Sequence, residues 1–335
     1  SPFHSFRDSA FWVQRGVVPM TGKPLVCGSI TLKEPMGVGT NKWGTNPKKF
    51  SQRDIRLAFE TSLNAGVTLL NTAQLYPTSE DCIGNLRQEV AGGERAIIVS
   101  KFNSLATKVD QLIPSLKGSL QKCGVDALDA FLVHHPTGHP ALLAEQLVKA
   151  HRQGLVRNVG VSNYGEEQLR EMHRLLKEQG VPLVFNEIEF HLMRRSPETS
   201  GLLAACEELG VTVLAWAPLA SGQLTGKDAT DKLSNPATLA VRRELAEIAR
   251  ARGKTMAQVA INWCICKGTV PIPGARTEAQ AVENCGAIGW RLSAAEVAKL
   301  DAVAVSESGM YSNPEAIFTF LGIWPPRFLR PAVAW

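Results

Sequence analysis

The chain has 335 residues, 44% of them apolar and 20% charged, with a formal net charge of +5. That is enough for two ordinary domains or for one large α/β barrel with a full core. A charge this small for the length, with no dense Lys/Arg run, gives nucleic-acid binding no support.

The most suggestive apolar stretch, Ala316 to Trp324, is far too short to span a membrane, so no transmembrane segment is expected. Seven cysteines are scattered at 27, 82, 123, 206, 264, 266 and 285 without a CxxC pair. This argues against a disulfide scaffold or a zinc knuckle and suits a reducing compartment. The first 33 residues hold one acid, Asp8, against Arg7, Arg15, Lys23 and Lys33. That fits the remnant of an acid-poor transit peptide, hence a chloroplast or other plastid. A chain start of other origin fits as well and leaves a cytoplasmic location as the alternative.

Residues 1–24 place Phe3, Phe6, Phe11 and Trp12 among polar residues, as in an arm packed on a domain or a partner. Leu25 to Leu32 reads as a short hairpin or cap strand, and Met36 to Thr40 as a first barrel strand. Gly37-x-Gly39 lacks the third glycine of a dinucleotide fingerprint. From there strands and helices alternate. A helix over 51–65 opens on the box Ser51/Asp54 and stops at Gly66. The strand 67–70 runs into Asn71, with Tyr76 five places on.

A helix near 80–91 precedes the strand 96–100, which ends at Lys101. A helix with Leu112, Leu116, Leu120 and Cys123 on one face stops at Gly124. The strand 128–133 ends in His134-His135-Pro136, and a helix over 141–152 follows. The strand 156–161 ends in Ser162-Asn163. A helix over 165–179, the strand 183–188, a helix over 198–209 and the strand 211–215 continue the pattern. Beyond a Gly-rich connection, 219–235, come helices at 237–252 and, from the box Thr255/Gln258, to about 267. The strand 268–271 and a helix over 277–287 close the series. About eight strand–helix units predict a closed (β/α)8 TIM barrel over 25–305, with N-terminal cap strands. The segment 306–335, rich in aromatic residues and proline, is an extension that packs by surface contact.

The order of Val159-Gly160-Val161-Ser162-Asn163-Tyr164, His134-His135-Pro136 and Pro271-Ile272-Pro273-Gly274-Ala275-Arg276 resembles the aldo-keto reductases. Supporting pieces are Trp43-Gly44, Asp126 to Asp129, Pro218-Leu219 and Leu224 to Lys227, and the likeness runs from about Gly37 to about Val303. It implies metal-free, NADPH-dependent reduction of a small aldehyde or ketone. Tyr76 would be the proton donor, Lys101 the cation that stabilises its phenolate, and His134 the group that orients the carbonyl. It also implies that Ser162 and Asn163 hold the nicotinamide amide and that Arg276 takes the adenosine 2′-phosphate. Gln280, Glu283 and Asn284 would serve the adenine side. Trp216, Pro218, Leu219, Lys227 and Gly274 would line the rest of the NADP(H) path.

The chain also departs from the family. Asn71 stands where the family has an aspartate paired with the lysine, so Lys101 is expected to lose a counter-ion. Glu187 replaces a glutamine facing the nicotinamide, and its charge would favour the oxidised ring. Trp216 replaces a stacking tyrosine, and Pro77 stiffens the loop after Tyr76. Two readings follow: a slow carbonyl reductase, or a cofactor-binding, weakly active or inactive subunit docked through its aromatic arm and tail. The joint presence of Tyr76, Lys101 and His134 favours the first. A metal hydrolase is disfavoured because His134 and His135 are adjacent and should diverge on a strand.

Overall fold

A computed structural model describes residues 23–305 other than 46, 47, 49 and 227–235. The arm to residue 22, the extension from 306 and the docking role suggested for them lie outside the described residues.

The described chain opens with an antiparallel hairpin, β1 (Leu25–Cys27) and β2 (Ile30–Leu32). Eight parallel strands follow. They are β3 (Gly37–Gly39), β4 (Leu69–Asn71), β5 (Ile97–Phe102), β6 (Leu128–Val133), β7 (Val156–Ser162), β8 (Leu183–Glu189), β9 (Thr212–Trp216) and β10 (Val270–Pro271). Each pairs with its neighbour in chain order. Gly39 bridges Gly274 in parallel and donates its N–H to the Pro273 carbonyl at 3.0 Å, which brings the first and last strands together. This is the (β/α)8 barrel that the alternation predicts.

The outer helices are α1 (Gln52–Asn64), α2 (Ser79–Glu89), α3 (Leu112–Cys123), α4 (Pro140–Arg152) and α5 (Glu166–Glu178). Then come α6 (Ser196–Thr199), α7 (Leu202–Glu208), α8 (Pro236–Arg252), α9 (Met256–Cys266), α10 (Glu278–Cys285) and α11 (Ala294–Val303). Local chemistry sets their ends. Ser51 caps α1 by accepting from the Asp54 N–H, and the Asp54 carboxylate accepts from the Ser51 N–H in return. Gly124 ends α3 at φ +63°, a conformation that costs a side-chain-bearing residue free energy.

Two expectations need correction. The single helix over 198–209 is two helices, because Gly201 sits at φ +91° between them. The sequence reading also missed α11, although Ser293 and Glu296 form the same capping box that marked Ser51 and Thr255.

The core has two layers. Between sheet and helices lie residues such as Ile55, Phe59, Leu116, Leu147 and Met172. Inside the barrel, Leu69, Val99, Leu132, Phe185, Leu214 and Val270 meet Leu25, Cys27, Ile30 and Leu32 of the hairpin. The hairpin therefore plugs the floor of the barrel. Asn158 fastens it there: its carbonyl oxygen accepts from the Ser29 N–H at 3.0 Å, and its amide donates to Ser29 Oγ and to the Asp129 carbonyl, both at 2.8 Å. Gly28 turns at φ +58° against this group, and a Cβ there would lie 2.3 Å from Asn158 Oδ1.

Removing the buried Asn158 amide breaks three hydrogen bonds that anchor the hairpin. Asn158→Ala should cost roughly 1–3 kcal/mol in urea unfolding. The helical content of the folded chain should stay unchanged, which circular dichroism can check.

Candidate active site

Side chains alternate along a strand, so residues two apart share a face. Each inner-core residue is therefore followed, one layer up, by a residue at the barrel mouth. Leu69 leads to Asn71, Val99 to Lys101, Leu132 to His134, Phe185 to Glu187 and Leu214 to Trp216. The apolar layer dictates where these polar groups point.

Lys101 is completely buried, and Asn71 and Glu187 are each 2% exposed. The lysine Nζ donates to Asn71 Oδ1 at 2.9 Å and to the Thr72 carbonyl at 2.9 Å. Its third neighbour is Glu187 Oε1 at 3.1 Å, reached across the barrel from β8. The other carboxylate oxygen of Glu187 accepts from Asn71 Nδ2 at 2.6 Å. Lys101 thus has a carboxylate partner, contrary to the expectation drawn from Asn71. The two substitutions looked independent because they lie 116 residues apart in sequence. Burial pushes the Lys101 pKa below its ordinary value, and the Glu187 carboxylate pulls it back.

Tyr76 is half-buried at the cavity wall, with Lys101 Nζ 5.2 Å from its ring centre. Desolvation raises its pKa and the charge on Glu187 adds to the rise, so the phenol is protonated at neutral pH. Its loop is tied down. Tyr76 donates its N–H to the Ala73 carbonyl, and Thr40 and Thr72 both bond Ser79 Oγ, at 2.6 and 2.7 Å.

His134 meets Tyr76 edge-on, ring centres 5.9 Å apart. His134 and His135 do not diverge as expected: their rings stack 4.6 Å apart and 5° from parallel. The reason is that β6 ends at Val133, so strand alternation does not carry on to His135. Among the described residues no cluster of three metal-ligating side chains occurs. Burial, followed by the nearby charge of Lys101, brings the His135 pKa down to about 4. Burial, then His135 and Lys101, holds His134 well below the ordinary imidazole range. Both rings are neutral at pH 7.

These groups line one end of a cavity of about 470 Å³. Asn71, Tyr76, His134, Ser162, Asn163, Glu187, Trp216, Pro218, Leu219, Gly274, Arg276 and Gln280 all border it. Lys101 stands just behind Asn71 and Glu187. Asn284 is also behind the wall and donates to the Gly274 carbonyl at 3.3 Å. Glu283 does not border the cavity, and its carbonyl accepts from Gln258. Lys227 lies outside the described residues. The sequence reading passed over His135, Thr40, Asn41 and Lys42, which also border the cavity. For His135 the signal was its place beside His134 at a strand end.

Asn163 knits the middle of the cavity together. Its amide donates to the His134 carbonyl and to Ser162 Oγ, both at 3.0 Å, and its carbonyl oxygen accepts from the Trp216 indole at 3.2 Å. Asn163, Ala217 and Ser221 take left-handed backbone conformations at φ +63°, +51° and +55°. Such strain persists where surrounding structure enforces it, and these residues all border the cavity.

At the far end the half-buried Arg276 guanidinium lies 4.1 Å over the Phe50 ring, and the Arg276 N–H donates to Gln280 Oε1 at 2.8 Å. A bare backbone at Gly274 leaves open room: a Cβ there would meet nothing nearer than the Gly39 carbonyl at 3.7 Å. An extended, amide- and phosphate-bearing ligand such as NADP(H) suits this donor set. Polar amides and a flat indole serve one end, a cation and a helix N-terminus the other.

Comparison with known proteins agrees with the geometry. The family model for the Aldo/keto reductase family matches residues 35–305. A chloroplastic pyridoxal reductase of Arabidopsis thaliana is 37% identical over 312 residues, covering 83% of this chain and 86% of that protein. A glyoxal reductase of Bacillus subtilis is 26% identical, covering 77% and 86%. The crystal structure of a thermostable aldo-keto reductase with the inhibitor epalrestat superposes with a TM-score of 0.72 at 27% identity, over 84% of this chain and all of that one. A Klebsiella pneumoniae aldo/keto reductase solved with NADP and acetate has the same fold, with a TM-score of 0.72 at 24% identity over 87% and 98%. The chain belongs to the aldo/keto reductase family of NADP(H)-using oxidoreductases.

Proposed function

We propose that this protein reduces a small aldehyde with NADPH and that Tyr76 delivers the proton. The observation that carries the reading is the convergence of Tyr76, His134 and the Lys101–Glu187 pair at one end of a single cavity. NADPH, when bound, supplies the hydride. Ser162 and Asn163 would hold its amide, the Trp216 indole would flank its ring, Arg276 would take the 2′-phosphate, and Gln280 would serve the adenine side. Pyridoxal is the first substrate to try, because the Arabidopsis relative carries that activity in its name. The same relative supports a plastid location.

The phenol is a weak acid here, yet a carbonyl gaining a hydride becomes an alkoxide, a far stronger base. Transfer from Tyr76 Oη to that oxygen is then downhill, and the nearby ammonium of Lys101 stabilises the phenolate left behind. A neutral imidazole at His134 can orient the carbonyl by donating an N–H without supplying the proton itself.

The second reading, a cofactor-holding subunit with little activity, drew on Asn71 bringing no charge to Lys101. The Glu187 carboxylate at 3.1 Å supplies one, which weakens that argument.

Three outcomes test the proposal. NADPH oxidation in the presence of pyridoxal should be measurable by absorbance, and Tyr76→Phe should lower kcat by about 10²–10⁴-fold while leaving NADPH affinity unchanged. No turnover with pyridoxal or a panel of simple aldehydes would sink it. Arg276→Ala should weaken NADPH binding roughly tenfold, about 1.4 kcal/mol, and leave NADH binding nearly untouched, as read by fluorescence titration. Because the His135 pKa is depressed to about 4 and His134 also lies well below its ordinary value, kcat should be flat across about pH 6–7. A fall in kcat as pH rises through that window would instead mark an imidazolium as the proton donor.

A further inference from the structure

Lys101, fully buried, needs a nearby negative charge to remain an ammonium. Its direct neighbours supply one candidate. Asn71 Oδ1 and the Thr72 carbonyl are neutral, and Glu187 Oε1 is the carboxylate oxygen within reach. The other charged and titratable groups facing the lysine are Tyr76, His134, His135 and Glu80. Tyr76 is a protonated phenol, and both histidines are neutral. Glu80 is engaged elsewhere: it accepts from Ser100 Oγ at 2.6 Å and lies 3.9 Å from Lys122 Nζ.

Asn71 has a second function that a carboxylate at its position could not perform. Its side chain accepts from Lys101 through Oδ1 and donates to Glu187 through Nδ2. A carboxylate at position 71 would instead face a second carboxylate across 2.6 Å, and one of the two would have to take up a proton.

We propose that the negative charge serving Lys101 has moved across the barrel from position 71 to Glu187, and that Asn71 is the amide that holds the moved carboxylate in place. Glu187 is then a positioning residue acting through Lys101, an assignment resting on the reading that Tyr76 delivers the proton. Asn71 and Glu187 are one compensated exchange rather than two separate losses, and Asn71 is not a brake on the site.

The test reads Lys101 directly. Carbon-13-labelled lysine ε-carbons are followed by NMR across about pH 6–11 in the full chain without added cofactor, with Lys101 assigned by its absence in Lys101→Met. The variants are Glu187→Gln and the exchange Asn71→Asp/Glu187→Gln. In Glu187→Gln the Lys101 titration should fall by about one to three units. In the exchange variant it should return to within about one unit of the wild type. A smaller fall in Glu187→Gln, or an exchange variant further than that from the wild type, overturns the proposal. If circular dichroism shows Glu187→Gln unfolded, the exchange variant alone decides by the same one-unit criterion.

A purely structural role for Glu187 would not move this titration while leaving the fold intact. The readout needs no substrate, so a chain without reductase activity leaves it standing, and its failure leaves carbonyl reduction untouched. Where turnover is measurable, the alkaline limb of kcat in Glu187→Gln should shift to lower pH along with Lys101. A limb that stays put overturns the link to Tyr76.

Discussion

The site is organised by the burial of one ammonium. Lys101 lies one layer above Val99 in β5, fully buried behind the Asn71 and Glu187 side chains that border the cavity. Removing one partner from a buried ion pair costs about 3–5 kcal/mol, because the remaining charge stays desolvated. The lysine therefore constrains everything that touches it. The Thr72 carbonyl, the Asn71 amide and the Glu187 carboxylate are all placed to satisfy it, and Tyr76 is presented on the loop that begins at Thr72. A phenol beside that ammonium differs from a phenol beside a neutral amine, so the chemistry available to Tyr76 depends on the same balance.

Strand alternation explains how a chain with such sparse motifs builds this cluster. A residue that packs the barrel interior fixes the direction of the residue two places later. Phe185 directs Glu187 inward, and Leu69 directs Asn71, so the two meet although they come from opposite sides of the barrel. Closure at Gly39 and Gly274, together with the hairpin plug fastened by Asn158, holds those opposite sides at a working distance. The floor of the barrel in this way serves the geometry of its mouth.

Much of this was legible from sequence, and the rest was hidden for identifiable reasons. Strand–helix alternation and the caps at Ser51 and Thr255 are local signals, and local signals carry to structure well. So did the strand-ending positions of Asn71, Lys101, His134 and Ser162, because a barrel brings strand ends together. Two features were local but misread. Gly201 breaks a helix that apolar spacing alone would continue, and the Ser293/Glu296 box was overlooked. The stacked pair His134–His135 was misjudged by extending strand alternation to His135, beyond the end of the strand. The Asn71–Glu187 contact is of another kind. Neither residue carries a signal of the other, and each substitution read singly implies a damaged site.

Charge in a buried site is counted over the cluster, not by position. An aspartate, a lysine and a glutamine sum to zero, and so do an asparagine, a lysine and a glutamate. What differs is the direction of the dipole across the cluster. With the carboxylate on β8, the negative end lies on the side where the cavity wall continues to Ser162, whose Oγ donates to the Glu187 carbonyl at 3.1 Å. A lone carboxylate there would favour an oxidised, positively charged ring beside it. This one is bound on one oxygen by the Lys101 ammonium and on the other by the Asn71 amide, so most of its field is spent within the cluster. If Glu187 is the counter-charge of Lys101, as proposed, the same contact also weakens the electrostatic objection to a reduced cofactor beside Glu187.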